Sequence, residues 1–303
     1  MSLHLYTPDG QIDLPIPSLN PKLNDPTLYR PSKGLQDAVN VALALSQPLL
    51  VTGEPGTGKT QLAHHIAHRF RLGEPIVFNA QTTSGANDLF YKYDALGHFQ
   101  YSHNQREALT PAQIEERFVH YQALGEAIRA GKRKVVLIDE VDKAPRDLPN
   151  DVLAAIERLE FRVPEIGATY RAQPEHRPVI ILTSNSEKNL PDAFLRRVVY
   201  YHIPFPDATA LLEILNQKVE GYDATALRAL VAHFEDIRDS KLLRKNPATA
   251  ELIFWATLLH QAGFDPTVLE NKKISTEDRA LLLMSYSVLA KTKDDLTALH
   301  KMV

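Results

Sequence analysis

The residues best suited to chemistry form a glycine-rich loop, GEPGTGKT, at 53–60. The loop fits the pattern G-x-x-x-x-G-K-[ST], in which glycines let backbone N–H groups surround phosphates. We expect Lys59 to reach the β- and γ-phosphates of a nucleotide and the Thr60 hydroxyl to ligate Mg²⁺. A helix predicted to begin here would direct the positive end of its dipole toward the same phosphates. The predicted nucleotide-binding residues are Gly53, Glu54, Pro55, Gly56, Thr57, Gly58, Lys59, Thr60 and Gln61.

Two adjacent acids, Asp139 and Glu140, follow the apolar run Val135 to Ile138. The run predicts a buried strand, and open α/β sheets bind ligands at the carboxyl ends of their strands. We therefore expect Asp139 to hold Mg²⁺ with its waters, and Glu140 to act as general base toward an attacking water. A solvated strand end is the alternative for a single acid, and the phosphate loop upstream makes that alternative less favoured.

Three further polar residues lie near the ends of predicted strands. Asn185 ends the run VIILTSN, where its amide could orient the attacking water, although asparagine also commonly begins a turn. Arg196 and Arg197 precede the last predicted strand, and an arginine at the developing charge accelerates phosphoryl transfer by about 10³–10⁵. We expect such an arginine to act in the site of a neighbouring subunit. The alternative is a solvated surface pair.

The pattern of apolar residues predicts alternating strands and helices up to about residue 205, followed by helices alone. Buried strands are predicted at 48–53, 75–80, 134–140, 179–185 and 198–205, and helices at 32–46, 60–70, 110–132 and 147–160. Glycine-centred alternation predicts hairpins at 93–102 and 161–172. Further helices are predicted at 207–219, 224–237, 248–262 and 276–291. The order indicates a parallel sheet covered by helices on both faces.

Composition limits the classes of function. The chain has 303 residues, with 34 Lys plus Arg against 37 Asp plus Glu, so overall charge gives no reason to expect general nucleic-acid binding. The absence of cysteine excludes disulfides, thiol catalysis and cysteine-ligated zinc. We find no secretory signal and no apolar run of membrane-spanning length, so we expect a soluble cytoplasmic protein without membrane insertion.

The order of these motifs resembles the AAA+ superfamily of P-loop ATPases. The segments VTGEPGTGKTQLA (51–63), LIDEVDKAPRDLPNDVLAAIE (137–157) and FLRR (194–197) are most similar to its MoxR-like branch. The resemblance covers about residues 30–260. Residues 1–30, rich in Pro, Asn and Asp without a helical period, are predicted to form an irregular arm. With the resemblance, the α/β region is expected to be an ATPase domain (31–206) and the helical region a smaller all-helical lid (207–303). The resemblance also implies a homo-oligomeric ring, commonly of six subunits, with ATP at the interfaces.

The resemblance also bears on individual residues. Arg197 aligns with the interface arginine of the family, whereas Arg196 stands where the family has aspartate, so the choice between them stays open. Ala248 stands where many relatives carry a lid arginine, so either Arg244 or Lys245 substitutes or the lid senses nucleotide only weakly. The two predicted hairpins fall where relatives have loops that face a pore or a partner.

The function implied is that of an ATP-driven remodeller or chaperone acting on a protein client. Relatives of this branch usually work with a protein that carries a von Willebrand A domain. A nucleic-acid motor of the restriction type, with GTP as an alternative nucleotide, is the second hypothesis. The GTPase signature Asn/Thr-Lys-x-Asp is absent, which favours ATP, and the aromatic insert YDALGHFQYSHNQR favours a protein partner. A slow nucleotide-gated switch is the third hypothesis, and an intact Glu140 argues against it.

Overall fold

A computed structural model of the chain describes residues 20–104, 108–145, 148–186, 190–270 and 274–302. Contacts divide the chain into two units. The first, called here the α/β unit, comprises Tyr29–Glu54 and Gly58–Ile203. The second, the helical unit, comprises Pro204–Val303, the segment ending at Leu28, and Pro55–Thr57. The domain boundaries expected at residues 30 and 206 stay predictions.

The described part of the α/β unit contains nine strands. They are β1 (Leu49–Thr52), β2 (Ile76–Asn79), β3 (Tyr91–Tyr93), β4 (Val119–Tyr121), β5 (Val135–Asp139), β6 (Glu160–Val163), β7 (Ala168–Arg171), β8 (Val179–Ser184) and β9 (Val199–His202). Five of them form a parallel sheet in the order β2-β5-β8-β1-β9. Because all five run in one direction, their carboxyl ends, and the polar residues that follow them, meet at one edge.

Helices cover this sheet on both faces, as predicted. The described helices of the α/β unit are α1 (Lys33–Leu45), α2 (Lys59–Arg69), α3 (Ala95–Asn104), α4 (Pro111–Phe118), α5 (Ala123–Arg129), α6 (Leu148–Arg158) and α7 (Asp192–Leu195). Of these, α1, α2 and α5 contact strands of the sheet, whereas α4 packs on β4 and α3 packs on α4. Side chains alternate along β1, so Leu50 joins one hydrophobic cluster while Leu49 and Val51 join another. Coverage of both faces explains why β1 and β5 read as continuous apolar runs.

Two predictions about the segment between β2 and β5 are wrong. Residues 93–102 form no hairpin, because α3 occupies most of them and β3 pairs antiparallel with the distant β4. Residues 110–132 form α4, β4 and α5 instead of a single helix. Pairing with β3 interrupts the helical pattern, and the Gln122 N–H donates to the Phe90 carbonyl at 2.9 Å.

A polar and aromatic cluster joins the β3–β4 pair to the β6–β7 hairpin, which was predicted at 161–172. Glu115 accepts hydrogen bonds from the hydroxyls of Tyr121 (2.7 Å) and Tyr170 (2.9 Å) and from the Arg129 guanidinium (2.6 Å). Arg129 also lies 3.7 Å from the centre of the Tyr121 ring. These contacts, led by the Tyr121 hydrogen bond, lower the pKa of Glu115. The β3–β4 pair and the β6–β7 hairpin therefore share a stabilising anchor.

The helical unit contains α8 (Ala208–Lys218), α9 (Ala224–Asp239), α10 (Thr249–Gln261), α11 (Thr276–Ser285) and α12 (Lys293–His300). Side-chain caps begin several of them, for example Asp207 and Asp223. The sequence predicted α8 to α10 closely, placed the end of α11 too late at residue 291, and missed α12. The core of this unit surrounds Trp255 and Tyr286.

His233 on α9 is held within that core. Its ring lies 5.8 Å from Trp255 and 6.0 Å from Tyr286, and its Nε2 is hydrogen-bonded to the Tyr286 hydroxyl at 2.7 Å. Burial lowers the pKa of His233, and Asp236 opposes this only in part. The folded protein therefore keeps this imidazole neutral at pH values at which the unfolded chain already binds a proton.

We expect this difference to make the stability depend on pH. Below about pH 6.5 the unfolded state takes up a proton at His233 that the folded state does not, so stability falls as the pH falls. His233→Gln should lower the melting temperature near neutral pH and flatten its decline toward about pH 5.5. Thermal unfolding across this range tests the expectation, with the exposed His68→Gln as control. Parallel pH profiles for wild type and His233→Gln would contradict it.

Candidate functional site

The loop between β1 and α2 has the backbone that the glycine spacing predicts. Gly56 and Gly58 have φ values of 75° and 88°, in the left-handed region that favours glycine. A Cβ atom on Gly58 would also lie only 2.9 Å from Cε2 of Tyr29. Both conformation and close packing therefore require glycine at residue 58, immediately before the first turn of α2.

Lys59 begins α2 and is only 7% exposed. Its ammonium donates hydrogen bonds to the carbonyl oxygens of Gly53 (2.8 Å) and Glu54 (2.9 Å). Burial lowers the pKa of Lys59, while nearby carboxylates, chiefly Asp139, oppose the change. The side chain thus curls back over the loop and holds its ammonium against two carbonyl oxygens at the start of the loop.

The structure brings together the side chains of Thr60, at the start of α2, and Asp139, at the end of β5. The Thr60 hydroxyl donates to Asp139 Oδ2 at 3.2 Å, and the hydroxyl of Thr183 on β8 donates to Oδ1. Hydroxyl and carboxylate oxygens are the ligands that Mg²⁺ prefers in proteins. The residues present therefore fit a magnesium ion.

Glu140 follows β5 in a left-handed conformation, with φ 55°. Its N–H donates to the Thr183 hydroxyl at 2.9 Å, which fixes this unusual backbone. Carboxylate Oε1 lies 3.4 Å from Nδ2 of Asn185, and Oε2 lies 2.5 Å from Nζ of Lys143. Glu140 and Asn185 are thus joined by a long hydrogen bond, and the role expected for Asn185 toward a water stays a prediction.

Sequence reasoning missed three residues of this site. Thr183 is fully buried inside the apolar run of β8, and a buried hydroxyl needs a partner, so its position was a usable signal. Asp142 accepts from the backbone N–H of Asn185 at 3.3 Å, and Lys143 contacts Glu140. These two charges follow a strand end and resemble ordinary surface residues, so no local signal distinguishes them.

Arg196 and Arg197 follow α7 and are both exposed. Neither guanidinium forms a hydrogen bond or an ion pair with any other part of the chain that the structure describes. The structure therefore does not join either arginine to Lys59 or Glu140 within one chain.

Across the described ranges, no helix is both long enough and apolar enough to cross a bilayer.

A family comparison bears directly on this arrangement. Residues 48–198 match the family model described as an AAA domain of the dynein-related subfamily. This segment is an AAA+ ATPase domain. Domains of this family bind and hydrolyse nucleotide, typically with Mg²⁺, and commonly assemble as rings. The five-stranded parallel sheet and the helical C-terminal region agree with the AAA+ fold expected from the sequence.

Two solved structures illustrate more distant similarity. The RuvB Holliday junction branch migration motor of Thermotoga maritima is 16% identical, over 87% of this chain and 69% of that chain, with a TM-score of 0.46. NtrX from Brucella abortus in complex with ADP is 17% identical, over 91% of this chain and 61% of that chain, with a TM-score of 0.48. At these values neither similarity bears on what this AAA+ domain acts on. No curated protein matches the sequence.

The Thr183 hydroxyl provides a direct test of the site geometry. Thr183→Val keeps the side-chain shape but leaves Asp139 and the Glu140 N–H short of a partner, at a cost of about 1–3 kcal/mol. We expect a lower melting temperature and slower ATP hydrolysis, measured by thermal unfolding and phosphate release. The exposed Thr169→Val makes the same chemical change without a buried partner and serves as control. Wild-type behaviour of both variants would rule out this network.

Proposed function

We propose that this chain is a Mg²⁺-dependent ATPase of the MoxR-like branch that forms a ring and remodels a protein partner. The observation that carries the ATPase part is the meeting of Lys59, Thr60, Asp139, Glu140 and Asn185 at one edge of the sheet. The branch assignment rests on the segments at 51–63, 137–157 and 194–197.

The loop and Lys59 would bind the substrate's phosphates. Backbone N–H groups of the loop and the dipole of α2 favour negative charge at this position. Lys59 can exchange its two carbonyl partners for phosphate oxygens, which form stronger, charge-assisted hydrogen bonds with an ammonium. Mg²⁺, when held by the Thr60 hydroxyl and Asp139, would offset the charge on the phosphate oxygens.

Glu140 and Asn185 would then act on the attacking water. The water oxygen bonds to the γ-phosphorus of ATP while the bond from that phosphorus to the β-phosphate oxygen breaks, giving ADP and phosphate. Glu140 takes the water's proton on its carboxylate. Asn185, with Nδ2 3.4 Å from Glu140 Oε1, is placed to orient the same water.

Two cations are assigned to roles beyond this centre. Arg197, exposed and without an ion pair in the described ranges, would stabilise the developing charge in a neighbouring subunit, with Arg196 as the alternative. Of the two candidates for the lid cation, Arg244 is ion-paired with Asp294 at 2.7 Å. Lys245 forms no ion pair with another described residue, so we assign the lid role to Lys245.

Helix α3 supports a protein partner. It exposes Leu96 and Phe99 by 66% and 69%, and its sequence, ALGHFQYSHN, contains no Lys, Arg, Asp or Glu. Nucleic-acid binding depends on cations that meet phosphates, whereas exposed apolar side chains suit contact with protein. The expectation of a partner with a von Willebrand A domain rests on resemblance to the branch alone.

Two substitutions separate ATP binding from hydrolysis. Lys59→Ala should abolish binding of ATP, because it removes the buried cation from the phosphate loop. Glu140→Gln should bind Mg-ATP normally and lose turnover by roughly 10²–10⁴, because the amide cannot accept the water's proton. Calorimetric titration and phosphate release measure the two properties. Tight binding by Lys59→Ala, or undiminished turnover by Glu140→Gln, would remove that residue from its role.

The ring is tested by the mass of the Glu140→Gln protein in light scattering. With Mg-ATP we expect a particle of several subunits, about six times the 34.0 kDa monomer, because bound nucleotide would complete the interface. Addition of Arg197→Ala to this background should leave nucleotide binding intact. A monomer with and without Mg-ATP would exclude the ring and the arginine supplied by a neighbour, while leaving the ATPase assignment in place.

A further inference from the structure

Both carboxylate oxygens of Glu140 are engaged, and the two contacts differ in strength. Asn185 Nδ2 lies 3.4 Å from Oε1, which is long for a hydrogen bond. Lys143 Nζ lies 2.5 Å from Oε2, a short charge-assisted contact. The lysine therefore determines the orientation of this carboxylate more than the asparagine does.

The backbone delivers Lys143 to this position. Residues Val141–Lys143 form a 3₁₀ turn, in which the N–H of Lys143 donates to the carbonyl of Glu140 at 2.9 Å. Residues three apart lie on one side of such a turn. Glu140, in its left-handed conformation, immediately precedes this turn. Its N–H donates a hydrogen bond to the Thr183 hydroxyl.

Other acids near the turn do not compete for Lys143 by direct contact. Asp142 accepts from the Asn185 N–H, and Asp139 accepts from the Thr60 and Thr183 hydroxyls. The hydrogen bond to Glu140, helped by the charges of Asp142 and Asp139, raises the pKa of Lys143. Of Asp139, Glu140 and Asp142, Glu140 is therefore the acid that pairs with the Lys143 ammonium.

We propose that Lys143 is a positioning residue that restrains Glu140 and keeps ATP hydrolysis slow until this ion pair opens. The inference rests on the proposed ATPase function and adds a regulatory contact to that site. While the pair is closed, Oε2 is occupied by the ammonium, and only Oε1, beside Asn185, is left to accept a proton from water. Opening the pair releases the side chain to take the position of the base.

The ion pair is partly exposed, with 54% of the Lys143 side chain and 40% of the Glu140 side chain accessible. An exposed pair of this kind is weak and is screened by salt. The restraint is therefore modest and reversible. It slows turnover by a small factor and does not block it.

The test compares Lys143→Met with Lys143→Arg in the full-length protein. We expect Lys143→Met to raise kcat by roughly 1.5- to 5-fold with little change in KM, because an exposed ion pair is lost. Lys143→Arg retains the charge and should stay near the wild-type rate. Lys22→Met is the matched control, because it removes a pair of similar length (Lys22 to Glu220, 2.6 Å) in the helical unit.

Ionic strength separates this restraint from a merely structural effect. The ratio of kcat for Lys143→Met to kcat for wild type should fall toward one between about 50 mM and about 1 M salt. Salt weakens the ion pair in the wild type and so raises its kcat, whereas Lys143→Met has no ion pair to weaken. A ratio that stays constant, or a kcat for Lys143→Met that equals or falls below wild type at low salt, overturns the restraint. Absence of ATP hydrolysis in every variant and in wild type overturns the proposed function itself.

Discussion

The carboxylate of Asp139 is the point on which the rest of the site depends. It ends a buried strand, where an unpaired charge would be costly, and hydroxyls from two other elements satisfy it. The Thr60 hydroxyl joins the start of α2 to the end of β5, and the Thr183 hydroxyl joins β8 to the same end of β5. The phosphate loop, the acidic pair and the neighbouring strand are therefore aligned by one set of hydrogen bonds.

The same bonds account for the unusual backbone beyond Asp139. Thr183 donates to Asp139 and accepts from the N–H of Glu140, so one hydroxyl serves both acids. That contact holds Glu140 in a left-handed conformation, which costs a residue with a Cβ roughly 1–3 kcal/mol. The strained residue begins the 3₁₀ turn that carries Lys143 back to the Glu140 carboxylate. Strain at this position thus helps to place the lysine that we propose restrains the base.

The segment between β2 and β5 follows a different principle. Its fold depends on partners that are distant in sequence, namely β3 with β4 and Glu115 with Tyr121 and Tyr170. Gly125 allows α5 to pack closely, since a Cβ there would lie 1.9 Å from the carbonyl oxygen of Phe90. The outcome is a helix, α3, that exposes Leu96 and Phe99 beside an anchored β3–β4 pair.

The order of the motifs indicated the AAA+ fold by resemblance, and the sequence by itself determined the phosphate loop, the buried strands and the helical C-terminal region. These features are encoded by residue spacing within a few turns or one strand, and the parallel sheet then brings Asp139, Glu140 and Asn185 to one edge. Only the tertiary structure decided that residues 93–102 form a helix, that 110–132 is interrupted by β4, and that Thr183 and Lys143 belong to the site. Each of these depends on a hydrogen bond or an ion pair with a partner that the folded chain brings close. Local periodicity in the sequence does not identify such partners.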